Sequence, residues 1–89
     1  MPFATHPDLE TELLRMIGAW DGGPREFRNI LNKAFDIALD PDGLMAKVVF
    51  VSGEDAPVID AWRRGSYWPG PSVRRKLAEL LKQLVMAAP

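Results

Sequence analysis

Apolar residues recur along this chain at helical spacing, in short runs separated by turn residues. Leu9, Leu13, Ile17 and Trp20 succeed one another at intervals of four, four and three, which predicts a helix over 7–20. Thr5 is its candidate cap, Pro7 suits a first turn, and Asp8 and Glu10 lie at the positive end of the macrodipole. Asp21-Gly22-Gly23-Pro24 interrupts the pattern. Phe27, Ile30, Leu31, Ala34, Phe35 and Ala38 then form a second stripe, predicting a helix over 24–39. Asp40-Pro41-Asp42-Gly43 reads as a turn in which Asp40 or Asp42 caps the next element. Over 44–51 two readings stand. Lys47-Val48-Val49-Phe50-Val51 favours a strand by propensity, while Leu44-Met45-Ala46 favours a helix.

Ser52-Gly53-Glu54-Asp55 is a turn, with Asp55 as N-cap of a short helix that turns Val58, Ile59 and Trp62 inward. Gly65 closes that helix, and 66–70 connect to a last one whose buried stripe is Val73, Leu77, Leu80, Leu81 and Leu84. Residues 87–89 are expected to fray. The pattern describes an all-α bundle of about five short helices in a single domain over 1–89, with 47–51 as its one possible extended segment.

Composition narrows the chemistry more than the fold. The 89 residues are 47% hydrophobic and 26% charged, without cysteine and with one histidine, His6. Disulfides, thiolate metal sites and a cysteine nucleophile are excluded, and a lone terminal histidine with three serines gives little for a triad. The expectation is a binding module, not an enzyme, with no cofactor, metal or small-molecule substrate. No apolar run reaches the length of a membrane span and no signal peptide precedes the first helix, so a cytoplasmic location is expected.

Charge is distributed unevenly. Residues 1–61 hold eleven acids against five bases, and residues 62–89 hold six bases against Glu79 alone. Arg74, Arg75 and Lys76 open the last helix, where cations oppose the macrodipole, and an external anion would account for them. Arg63 and Arg64 end the preceding helix, where cations suit both the dipole and phosphate.

The stretch from Trp62 through Arg63-Arg64-Gly65 and the Pro69-Gly70-Pro71 loop into Val73-Arg74-Arg75-Lys76-Leu77 resembles the end of a lambda-repressor-like helix-turn-helix, as in XRE-family regulators. Gly53 lies nine residues before Trp62, where that family keeps the tight turn, with Asp55 at the recognition-helix cap and Ile59 at its buried middle. The resemblance spans 25–84, leaves 7–20 as an accessory N-terminal helix, and is degenerate in its first half. Glu54 replaces an aliphatic residue. Ala56, Pro57, Asp60 and Ala61 occupy the outward positions where the family places Gln, Asn, Arg, Ser or Thr.

The resemblance implies a DNA-binding transcriptional regulator. Ala56, Pro57, Asp60 and Ala61 would enter the major groove. Arg63, Arg64, Arg74, Arg75 and Lys76 would neutralise phosphates, with Ser66 and Tyr67 assisting from the loop. The partner implied is duplex DNA; the N-terminal helix, extra to the family's pattern, either covers the bundle or supplies the two-fold contact of a homodimer. The alternative is a protein–protein interaction module on the same scaffold, without base readout, using Tyr67 and Trp68 as anchors. Trp68 is otherwise expected to fold back over the core. Trp20 and Trp62, with Met16, Met45 and Met86, are expected inside, and His6 on the surface.

Overall fold

A computed structural model describes residues 3, 4 and 6–87. Among them are five α-helices: α1 (Pro7–Ala19), α2 (Pro24–Ile37), α3 (Pro41–Ser52), α4 (Ala56–Arg64) and α5 (Pro71–Ala87). Every one has a proline within its first two positions. There the missing N–H removes a donor that no helix could satisfy, and the fixed φ starts the turn.

The ambiguous segment is helical. Asp40 caps α3 by accepting the Gly43 N–H at 3.0 Å, and Leu44 and Val48, one turn apart, are buried. The propensity cost of a valine or phenylalanine is at most about 0.7 kcal/mol. Full burial of one aliphatic side chain contributes roughly 1.5 to 3 kcal/mol. Two such anchors therefore override the β-branched composition, and the strand reading of 47–51 fails.

α2 is the centre of the bundle and packs against the other four helices; α5 also packs on α1 and α3, and α4 on α3. Phe27, Ile30, Leu31, Ala34 and Phe35 of α2 meet Leu13 of α1, Val48 of α3, Ile59 and Trp62 of α4, and Leu77, Leu81 and Val85 of α5 in one core. The expected α2 stripe is the buried one, save that Ala38 lies beyond the helix. There the chain leaves helical geometry, and Ala38 forms an isolated antiparallel bridge with Ala4. Leu39 N–H donates to Phe3 O at 3.0 Å.

Several expectations shift at the helix ends. Thr5 lies outside the described residues, and His6, exposed as expected, holds the N-cap position of α1 without a side-chain bond. Trp20 falls just past α1 and is only half-buried. Its Nε1 donates to Gly23 O at 2.8 Å and its ring stands 6.0 Å from that of Phe27. Met16 and Met45 pack against the core, but Met86 is exposed. α5 continues through Ala87, the first residue expected to fray; Ala88 and Pro89 lie outside the described residues.

Candidate nucleic-acid interface

The chain forms a helix, a three-residue turn and a second helix over 41–64. Gly53 ends α3 in the left-handed region at φ +76°, where its N–H donates to Val49 O at 2.9 Å. A side chain would strain that backbone, so glycine stands there. Asp55 holds the N-cap position of α4, but its carboxylate makes no capping bond. Ile59 and Trp62 carry α4 into the core, as expected.

The outward face is smaller than the sequence implied. Pro57 is exposed and Ala56 and Asp60 are half-buried, whereas Ala61 is 6% exposed and cannot reach a groove. The cause is tertiary: α4 packs between α2 and α3, and their cover reaches Ala61 beside the buried Trp62. With Glu54 and Asp55 exposed just upstream, the N-terminal half of α4 offers apolar and acidic groups but no cation.

Two of the five expected phosphate cations are engaged internally. Arg63 Nε donates to Asn32 Oδ1 at 3.0 Å, and its guanidinium carbon lies 4.4 Å from the centre of the Phe35 ring. The Arg63 carbonyl accepts from Arg28 Nε and Asn32 Nδ2, both at 3.0 Å. It belongs to the last turn of α4, where no intrahelical donor remains, so α2 satisfies it from the side. Arg74 Nε donates to Gly22 O at 3.1 Å and its Nη1 to Pro69 O at 2.7 Å, tying the start of α5 to both flanking loops. The cations that opposed the macrodipole at α5 are thus reduced by one, for a structural reason. Arg64, Arg75 and Lys76 are exposed, and none has an acidic partner among the described residues. Ser66 and Tyr67 are exposed in the loop beside them.

Part of this basic set is drawn together. The Arg74 bond to Gly22, and a recess shared by Arg25, Arg28, Gly65 and Trp68, bring the N-termini of α2 and α5 and the C-terminus of α4 to one end. Arg25, Arg28, Arg63, Arg64 and Arg74 belong to these helix ends, with two positive helix termini, whereas Arg75 lines hollows against α1 and α3 in company with Glu79, and Lys76 shares the second of them. Asp21 and Glu26 share this end; the Asp21 carboxylate accepts the Gly23 N–H at 2.9 Å. Arg25 and Arg28 are hidden in the acidic two-thirds of the sequence. The signal that singles out Arg74, Arg75 and Lys76, cations in the first turns of a helix, applies equally to them.

Gly65 closes α4 at φ +78°, donating its N–H to Trp62 O, while Ser66 N–H reaches Ala61 O at 3.0 Å. A Cβ on Gly65 would stand 2.8 Å from Arg28 Nη1, so the absence of a side chain also lets Arg28 lie across the helix end. Beyond it Trp68 does not fold back over the core; it is 55% exposed, at the edge of the recess that Phe27 and Trp62 also line. Trp62 itself is buried as expected, but its Nε1 has no acceptor among the described residues.

Compared with protein-family models, curated proteins and solved structures, the chain matches none.

Proposed function

We propose that this chain is a helix-turn-helix-like regulator module that holds duplex DNA mainly by its phosphates. The observation that carries the reading is the exposed set Arg64, Arg75 and Lys76, without ion-pair partners among the described residues, two of them in the first turns of α5. Each cation placed against a helix dipole costs roughly 0.3 to 1 kcal/mol, which an anion arriving from outside would offset. Ser66 and Tyr67 add hydroxyl donors beside the phosphate track. Base reading is slight, because Ala56, Pro57 and Asp60 offer a methyl contact and one acceptor where donors are needed. In this reading α1 supplies the contact of a cytoplasmic homodimer, since small readers of this kind bind paired half-sites.

The test is anisotropy of a labelled duplex titrated over a range of salt. Three phosphate contacts give a log–log slope of about −2.7. Replacing Arg75 and Lys76 together with alanine should bring the slope to about −0.9. A slope near zero, or no binding at low salt, overturns the reading.

A second reading is favoured by a separate observation. Phe50, on α3, is 87% exposed, although one buried phenylalanine contributes roughly 1.5 to 3 kcal/mol. A ring so placed suits an anchor for a protein partner, and with Glu54 and Asp55 it makes a face that DNA would avoid.

A further inference from the structure

The proposed phosphate contacts leave one feature of the basic end unused. Between the first turns of α2, the C-terminus of α4 and the 65–70 loop lies a recess of about 110 Å³. The exposed Trp68 gives it an aromatic wall, the buried Phe27 and Trp62 form its floor, Arg25 and Arg28 line its side, and no carboxylate among the described residues lines it.

Trp68 is presented, not left loose. The next residue, Pro69, is buried and its carbonyl holds Arg74 Nη1 at 2.7 Å, while Arg74 Nε is bonded to Gly22 O. The backbone that carries Trp68 is therefore held before any ligand arrives, which removes part of the entropic cost of binding. On the opposite side Arg28 is oriented by its Nε bond to the Arg63 carbonyl, and neither of its terminal nitrogens has a hydrogen-bond partner among the described residues. Arg25 is exposed and has none either.

We infer that this recess holds one unpaired base of a nucleic acid, stacked on Trp68, with the adjoining phosphate on Arg25 and Arg28. The inference rests on the DNA reading and narrows it to DNA that carries an unpaired end or gap. Three physical points select this ligand. Aromatic faces accept any base by stacking, since every base has a π-face. The recess is smaller than the roughly 150 Å³ cavity that accepts one benzene ring, so it takes the edge of a base lying on Trp68 and not a folded peptide segment. The guanidinium pair beside the rings, undiluted by carboxylates, matches a base and phosphate one sugar apart.

The experiment compares the full chain binding a short blunt duplex, the same duplex with a single-stranded overhang, and the same overhang made of abasic sugar phosphates. The overhang should bind about tenfold more tightly than the blunt duplex, within the range of one aromatic–base stack, and the abasic overhang should lose most of that gain. Trp68→Ala and, separately, Arg25→Gln should abolish the gain while binding the blunt duplex as the unaltered chain does. Equal affinity for blunt and overhang duplexes overturns the inference and leaves duplex binding standing. An abasic overhang that binds as well as the natural one overturns stacking. Binding of the overhang strand with none of the blunt duplex supports the recess and overturns the duplex reading. No binding of any probe overturns both.

Discussion

Arg63 places its guanidinium carbon 4.4 Å from the centre of the Phe35 ring and donates Nε to Asn32, so the cation expected on phosphate fastens α4 to α2. A cation over a ring contributes about 0.5 to 1 kcal/mol at a partly exposed site, and a hydrogen bond about 1. Arg63→Ala should lower unfolding stability by roughly 1 to 2 kcal/mol in a urea titration. Arg64→Ala, one residue on and exposed, should stay within about 0.5 kcal/mol while weakening DNA binding.

The two left-handed glycines separate backbone strain from crowding. Gly53 and Gly65 have nearly the same φ, but a Cβ at Gly53 meets nothing, whereas one at Gly65 meets Arg28. Gly53→Ala should cost about 1 kcal/mol, the ordinary penalty for that conformation. Gly65→Ala should cost more, about 2 to 3 kcal/mol, because Arg28 must also leave the Arg63 carbonyl. In an Arg28→Ala background the two glycine substitutions should become equal, as a double-mutant cycle would show.

Arg74 and Arg75 are neighbours with different duties. Arg74→Ala removes bonds to Gly22 O and Pro69 O and should lower stability by about 1 to 3 kcal/mol, with faster amide exchange in the 65–70 loop. Arg75→Ala should leave stability within about 0.5 kcal/mol and reduce the salt slope by about one phosphate. A double Arg74/Arg75 variant would mix these effects, so the single variants are the informative ones.

Phe50→Ser tests the protein-partner reading. With 87% of the residue exposed, the substitution should change stability by less than about 0.5 kcal/mol, measured by thermal melting. A loss of DNA affinity in this variant would place Phe50 at the nucleic-acid face; unchanged affinity leaves it available to a protein.

The helical order and most of the core were legible because each buried stripe has a helical period and every helix starts near a proline. What the sequence concealed was long-range. The helix over 44–51 depends on burial of Leu44 and Val48 against α2 and α5, which no local window reports. Ala61 looked outward because its burial comes from neighbouring helices and not from its own pattern. Arg63 and Arg74 are spoken for by Asn32, Phe35, Gly22 and Pro69, partners 5 to 52 residues away in sequence. Arg25 and Arg28 were masked by averaging charge over a long acidic stretch, although their place in the first turns of α2 carried the same signal as Arg75 and Lys76.

The bridge between Ala4 and Ala38 has a practical consequence. Phe3 lines a hollow with Leu39, Leu44 and Leu84, so residues 3 and 4 act as a lid on the seam where α2, α3 and α5 converge. Clipping the chain at His6 would bare Leu84 and deprive the Leu39 amide of its acceptor. Loss of the chain before His6 would therefore turn this seam into a sticky surface, while the recess around Trp68 would be untouched.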